Sequence, residues 1–199
     1  KEYLKRRSAE VNLSKISPTK DITPGLVEST DTTHFSIVDQ WGNAVSNTTT
    51  INYPFGSGVV VEGAGFLLND EMDDFSAKPG VPNVFGAVGG TANEIQPNKR
   101  MLSSMSPTIM LKNGKVRLVT GSPGGTTIIS SVYQSILNVI EFGMSANDAV
   151  NAPRFHHQLL PKDEIWYYPK LNKKALKAVR KMGYKTKTHH FGDLQLIMR

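Results

Sequence analysis

The rhythm of apolar and polar positions changes several times along the chain, and each change predicts an element. From Thr32 the stretch THFSIVD alternates weakly, DQWGN follows with a turn at Gly42, and NAVSNTTTIN is dense in β-branched residues, which predicts a hairpin of two strands. PTIMLK and KVRLVTG flank Asn113-Gly114, a dipeptide suited to a type I′ turn because both central residues need positive φ, so a second hairpin is predicted there. In TTIISSVYQSILNVIEFG, the residues Ile128, Ile129, Val132, Ile136, Val139 and Ile140 recur at helical spacing and Gly143 supplies a stop, predicting a long buried helix. Ser145 and Asp148 resemble a capping box for a short helix ended by Pro153. LNKKALKAVRKMG sets Leu171, Ala175, Leu176, Val179 and Met182 against a lysine-rich face, and DLQLIM reads as a closing strand.

Two regions lack such periodicity. Residues 1–31 hold Pro18, Pro24 and several turn formers, and beyond a short helix candidate in KEYLKRRSAEVNL they read as a linker or processed end. Residues 53–100 are punctuated by Gly and Pro, with the short apolar stretches GVVVEGAGFLL and NVFGAVGG, so no element longer than a strand is expected. Hairpins, a glycine-rich region and helices in this order give an α+β fold, or a layered αββα arrangement.

Composition narrows the class. The chain of 199 residues is 39% apolar and has no cysteine, which removes disulfides, Cys-zinc sites and thiol nucleophiles. No window approaches the ~18 consecutive apolar residues of a membrane span, and KEYLKRRSAE lacks the apolar stretch of a signal peptide. The net charge of +6 is uneven: residues 1–31 carry +1, residues 32–157 carry −2 and residues 158–199 carry +7. The basic helix has no interleaved aromatic residues, which argues for a solvated face over a nucleic-acid surface.

Several residues could carry chemistry. Thr32-Thr33 stands where linker composition turns into strand composition; cleavage before Thr32 would give its hydroxyl a free α-amine as base, although threonines are also ordinary strand residues. The GSPGG loop before the long helix offers the Gly124 and Gly125 N–H groups to a developing oxyanion, or is merely a tight connection. Ser103-Ser104 taken alone is equally unspecific. NDEMDDF gathers Asp70, Glu71, Asp73 and Asp74, a setting for a cation such as an ammonium group or a solvated acidic turn, and it lacks the spacing of an EF-hand. His156-His157 and His189-His190 have no metal-binding spacing and read as structural. The sequons at Asn12 and Asn47 are discounted, the second because it lies within a predicted strand.

Taken together, TTHFSIVDQWGNAVSNTTTIN, LLNDEMDDFSAKPGVPN, NKRMLSSMSPTI, VTGSPGG and NAPRFHHQ resemble the small, C-terminal subunit of the γ-glutamyltranspeptidases, a family of N-terminal nucleophile hydrolases, over nearly all of residues 32–199. The resemblance implies an αββα sandwich made by autocatalytic cleavage of the Asp31-Thr32 bond. Residues 1–31 would be the end of the large subunit, and residues 32–199 the small catalytic subunit with Thr32 as nucleophile. Carried over by position, Thr50 matches the threonine that orients the nucleophile, and Thr33 assists at the new terminus. Asn52, Glu71 and Asp74 match the residues that hold the donor's α-ammonium, Ser103 and Ser104 those that bind its α-carboxylate, and Gly124 and Gly125 the oxyanion hole.

The reaction so implied is transfer of a γ-glutamyl group from glutathione and related amides, through a Thr32 ester, to water or to an amino acid or peptide, with no metal or organic cofactor. The partner is the large subunit, and similar enzymes are periplasmic, secreted or surface-attached. Pro79 to Gly90 resembles the family's lid, but Phe85 stands where many bacterial members have a tyrosine bonded to the Asn52 position, so a looser lid and easier water entry are expected. The chain also runs across the expected cleavage site, as in an unprocessed precursor or two fragments numbered together, and LQLIMR ends before the family's closing strand. Rival readings are a poly-γ-glutamate capsule depolymerase or cephalosporin acylase of the same superfamily, disfavoured by the retained lid and donor set, and a non-catalytic basic binding module.

Overall fold

The computed structural model describes residues 32–199 together with Glu2 and Lys5. Apart from those two residues, the helix candidate in KEYLKRRSAEVNL lies outside the described residues, as do the Asn12 sequon and Asp31. In chain order the elements are β1 (Thr32–Val38), β2 (Ala44–Thr50), β3 (Val60–Val61), β4 (Phe66–Leu67), β5 (Thr108–Lys112), β6 (Lys115–Gly121), α1 (Thr127–Ile140), α2 (Ala146–Asn151), β7 (Arg154–His157), β8 (Glu164–Tyr168), α3 (Lys173–Lys181), β9 (Lys185–Thr188) and β10 (Gln195–Met198).

β1 and β2 pair antiparallel, from Thr32 opposite Thr50 to Val38 opposite Ala44. Asp39 organises their turn, its carboxylate accepting from the backbone N–H groups of Trp41 and Asn43 at 2.9 and 2.8 Å. Directly opposed residues share a face, so Thr32, His34, Ser36, Ser46, Thr48 and Thr50 form one side of the ribbon and Phe35, Ile37 and Val45 lie on the other. The polar side is the inner one: Thr32, His34 and Thr48 are buried, whereas Phe35, Ile37 and Val45 are 41%, 53% and 47% exposed.

Inward, the hairpin packs on the antiparallel sheet β10-β6-β5. The β5–β6 turn has φ of 53° at Asn113 and 74° at Gly114, the conformation the type I′ dipeptide predicts. On the far side of this sheet Leu118 meets Val139 of α1 and Ala149 of α2, with Met110, Ile136, Met144, Leu196 and Met198 packed around them. Hairpin, sheet and helices thus make three successive layers of an α+β sandwich, in the order β, β, α.

α1 is buried along one stripe only. Ile128, Val132 and Val139 are inside with Ser131 and Ser135, while Ile129 and Ile140 are 57% and 48% exposed. Two fully buried serines at helical spacing give the stripe little bulk and allow a close approach to the rest of the fold. Ser145 caps α2 as its spacing predicts, accepting from the Asp148 N–H at 3.1 Å and donating to Asp148 Oδ2 at 2.7 Å. α3 has no buried residue; Leu176 and Val179 are half-buried, and Ala175 and Met182 face outward. A third sheet, β7-β8-β9, antiparallel then parallel, lies against α1.

Candidate active site

Thr32 begins β1 on its buried, inward side. Ser46, opposite Ser36, donates to the Thr120 carbonyl at 2.9 Å, and the His34 ring lies over Gly121. From Ser36 through His34 to Thr32, the inner face of β1 therefore advances toward the end of β6, where the glycine loop departs. The inner face is held by hydroxyls: His34 Nδ1 pairs with Thr48 Oγ1 at 2.7 Å and Nε2 with Ser36 Oγ at 3.0 Å.

At the other end of the ribbon the chain leaves Thr50, and Thr50 Oγ1 accepts from the Asn52 N–H at 2.9 Å. Asn52 is buried with φ of 75°, a left-handed conformation that asparagine tolerates better than most side chains. Three bonds fasten this corner to Asp70. Asn52 Nδ2 donates to the Asp70 carbonyl at 3.3 Å, the Tyr53 N–H donates to Asp70 Oδ1 at 3.1 Å, and the Asp70 N–H donates to the Ile51 carbonyl at 3.3 Å. The 3-10 turn Glu71–Asp74 follows directly.

Its carboxyls repel one another in a partly dry setting. Burial first, and then the charges of Asp74 and Asp70, push Glu71 above its ordinary range; burial first, and then Asp73, push Asp74 up. A hydrogen bond between the two adds to the rise of Glu71 and offsets part of that of Asp74. Such a pair gains from an incoming cation, which would relieve both the repulsion and the raised proton affinity.

Asn93, which carries no sequence signal, joins this turn to the serine pair. Its Nδ2 donates to the Asp74 carbonyl at 2.7 Å, its Oδ1 accepts from the Leu102 N–H at 3.0 Å, and its carbonyl accepts from the Ser76 N–H at 2.9 Å. Ser103 and Ser104 follow Leu102 directly; Ser103 is exposed and Ser104 half-buried.

In the loop between β6 and α1, Gly124 has φ of 130° and Gly125 φ of 56°. Their carbonyls accept from the N–H groups of Thr127 and Ile128 at 3.1 and 3.2 Å, and Thr127 Oγ1 also donates to the Gly124 carbonyl at 2.7 Å. With the carbonyls turned into the first turn of α1, the loop's N–H groups stand at the positive end of a 14-residue helix. A side chain at Gly125 would meet the Phe85 ring, 3.2 Å from a Cβ. That ring in turn stacks on Tyr53, with centroids 5.8 Å apart at 22°.

Contacts therefore run from Thr32 and Thr50 through Asn52 to the Glu71–Asp74 turn, on through Asn93 to Ser103 and Ser104, and back through Tyr53 and Phe85 to Gly125. Thr32, Thr50, Asn52, Glu71, Asp74, Ser103, Ser104 and Gly125 lie along or next to this path and Gly124 precedes Gly125, whereas Thr33 is exposed on the outer face of β1. His156 lies apart from it, buried and held below its ordinary pKa chiefly by that burial, with ring nitrogens bonded to Ser130 and Gln158. His189 stacks near Trp166, centroids 4.5 Å apart. Among the described residues no group of three or more His, Asp or Glu is arranged to hold a metal ion, and no helix is long and apolar enough to cross a membrane.

Known proteins match this chain and its fold. The family model described as gamma-glutamyltranspeptidase matches residues 1–199. A glutathione hydrolase proenzyme of Pseudomonas aeruginosa is 58% identical over 199 residues, covering 98% of this chain and 36% of its own length. One of Escherichia coli is 50% identical over 202 residues, covering 100% of this chain and 35% of its own length. The solved γ-glutamyltranspeptidase from Pseudomonas nitroreducens in complex with L-DON superposes with a TM-score of 0.79 at 57% identity, over 84% of this chain and 89% of that one. The chain spans about a third of the length of the two proenzymes. With a family match over the whole chain and identities of 50% or more, this protein belongs to the γ-glutamyltranspeptidase family.

Proposed function

We propose that the protein is a γ-glutamyl hydrolase and transferase acting on glutathione and related γ-glutamyl amides, of which residues 1–31 form the end of the large subunit and residues 32–199 the small catalytic subunit. The observation that carries this reading is the single connected region bordered by a strand-initial threonine, two hydrogen-bonded carboxyls, a serine pair and two helix-initial glycines.

The chemistry follows from the groups present. After cleavage of the Asp31-Thr32 bond, the Thr32 α-amine takes the proton of its own hydroxyl as Oγ1 attacks the γ-carbonyl of the donor. The Gly124 and Gly125 N–H groups stabilise the oxyanion, and the departing amine leaves with the proton the α-amine collected. Water or an amine acceptor then attacks the γ-glutamyl ester, its proton passes to the α-amine and on to Oγ1, and Thr32 is regenerated. Thr50 orients Thr32. Asn52, Glu71 and Asp74 hold the donor's ammonium group while Ser103 and Ser104 hold its carboxylate, so both charges are gripped at the α-carbon and the γ-carbonyl at the far end of the glutamyl unit is left for Thr32.

The large subunit is the partner. The exposed apolar face of Phe35, Ile37 and Val45 supports a covering layer from the rest of the precursor, because an apolar sheet face of this kind calls for burial. Amino acids or short peptides serve as acceptors. A periplasmic, secreted or cell-surface location is part of the same reading.

Turnover of a γ-glutamyl anilide by the full-length protein tests it. The expected result is amine release with ping-pong kinetics toward a dipeptide acceptor, and labelling of Thr32 by an electrophilic γ-glutamyl analogue. Turnover that shows no covalent intermediate, or labelling at a different residue, overturns it.

A further inference from the structure

Residues 80–89 form a self-contained finger. The Gly80 N–H donates to the Gly89 carbonyl at 2.9 Å, and Pro82 and Val88 form a bridge. At the tip, the Asn83 N–H donates to the Ala87 carbonyl at 2.9 Å, and Asn83 Oδ1 accepts from the N–H groups of Phe85 and Ala87 at 3.1 and 3.0 Å. A loop closed on itself in this way can move as a body. What fixes it is therefore the set of contacts its tip makes with other segments.

One side chain there ties the fingertip both to its own segment and to the loop before α1. Gln158 Nε2 donates to the Phe85 carbonyl at 3.1 Å and to the Leu160 carbonyl at 2.6 Å. Gln158 Oε1 accepts from Thr126 Oγ1 at 2.7 Å and pairs with His156 Nε2 at 2.9 Å. Two carbonyls around Nε2 admit only the amide nitrogen there, so the orientation of the carboxamide follows from its partners. Oε1 can only accept, which puts the His156 proton on Nε2. Ser130 Oγ then faces His156 Nδ1 at 2.9 Å, and the imidazole is held from both sides. Gly86, with φ of 74°, lies so close that a Cβ there would stand 2.8 Å from Gln158 Nε2.

We propose that Gln158 is the positioning residue that latches this finger over the active site: its carboxamide holds the Phe85 carbonyl at the fingertip and the Thr126 hydroxyl beside Gly125 at once, and thereby sets how the γ-glutamyl ester divides between water and amine acceptors. Thr126 follows Gly125 directly, and the Phe85 ring covers Gly125. Closure of the finger and placement of the glycine N–H groups are therefore coupled through one amide. The partition rests on the proposed function; the latch itself does not.

Gln158→Met keeps the length of the side chain and removes all four bonds. Gln158→Glu keeps the acceptors for Thr126 and His156 but removes the donor to Phe85. Gly86→Ala presses on the same contact from the finger side. Hydrogen exchange of the full-length protein, followed by mass spectrometry over residues 79–90, reads the latch without any turnover. Each variant should exchange there about threefold to tenfold faster, the loss expected for one hydrogen bond, with the β5–β6 hairpin unchanged. The same variants should raise the hydrolysed share of a γ-glutamyl anilide by a similar factor at fixed dipeptide acceptor. Wild-type exchange over residues 79–90 in both a Gln158 variant and Gly86→Ala overturns the latch. Faster exchange with an unchanged partition overturns its role in the reaction. Absence of turnover in the wild type counts against the proposed function alone, because exchange still decides the latch.

Discussion

His34 and Gly121 are packed so tightly that a Cβ on Gly121 would fall 2.1 Å from His34 Cε1 and 2.2 Å from Nδ1. The contact joins two β layers: His34 is buried on the inner face of β1, two residues from Thr32, and Gly121 ends β6 immediately before the glycine loop. The absent side chain thus sets the distance at which the strand carrying Thr32 rides over the strand leading to Gly124 and Gly125. Gly121→Ala should force the imidazole or the whole hairpin outward and destabilise the fold by roughly 1–3 kcal/mol, as overpacking of a close-packed interior does. Urea denaturation of the full-length protein measures this, and an unchanged midpoint would mean that the layers are not in register through this pair.

The raised carboxyls predict the pH dependence of donor binding. Glu71 and Asp74 are lifted chiefly by burial, with Asp70 and Asp73 adding negative charge, and an ammonium-bearing donor requires them ionised. Binding should therefore expel protons, and affinity should rise with pH through a window above the ordinary values of 4.5 and 3.8. Titration calorimetry of a non-hydrolysable γ-glutamyl analogue in two buffers of different ionisation enthalpy would show proton release in acid that fades toward neutrality. Glu71→Gln should reduce the released protons and flatten the profile. Binding without proton exchange at any pH would remove the acidic turn from the ammonium site.

Histidine burial acts on stability in the opposite direction. His34, His156 and His189 are each held below the ordinary value of 6.5, first of all by burial. Between the folded and unfolded values the unfolded chain binds more protons, so stability is fully present above about pH 6.5 and declines as pH falls below it. Glu71 and Asp74, whose folded values are raised, contribute stability in acid that is lost as pH rises through those values. Denaturant midpoints should accordingly be level from pH 8 to pH 7 and fall from there toward pH 5.5. His156→Gln should make that fall shallower, and an equal slope in the variant would exclude His156 as a source.

Asn93 ties the backbone of Asp74 to that of Leu102 and so sets the separation of the Glu71–Asp74 turn from Ser103 and Ser104. Asn93→Ala removes two bonds to backbone groups without touching the reacting carbon. KM for a γ-glutamyl donor should rise about tenfold with kcat changed much less, corresponding to one or two lost hydrogen bonds. Equal losses in kcat and in kcat/KM would instead assign Asn93 to the transition state.

Elements whose signal is local were legible in the chain. Asn113-Gly114 encodes its own turn, Ser145 and Asp148 encode their own cap, and the branched residues of β1 and β2 encode an extended ribbon. β7, β8 and β9 were not read. EIWYY is half-buried at every position and so has no alternation, and KTKT is polar throughout and gains its place by pairing parallel to β8. The exposure of Ile129 and Ile140 was equally hidden, because helical spacing does not say which of two apolar stripes is covered. The candidate residues sit within motifs, whereas Asn93 lies in none and Gln158 only closes NAPRFHHQ, and both act on backbone groups far away in sequence. The positive φ of 75° at Asn52 is likewise a property of the corner that Asp70 completes.

Cleavage at Thr32 is the step that would give the hydroxyl its own α-amine as base, and every later step of the proposed reaction needs it. Intact mass and N-terminal sequencing of the full-length product, for the wild type and for Thr32→Ala, test it most directly. The expected outcome is a wild-type fragment that begins at Thr32 and releases amine from a γ-glutamyl anilide, and a Thr32→Ala chain that stays uncleaved and inactive. A wild-type chain that turns over substrate while uncut, or a Thr32→Ala protein that retains activity, would contradict it.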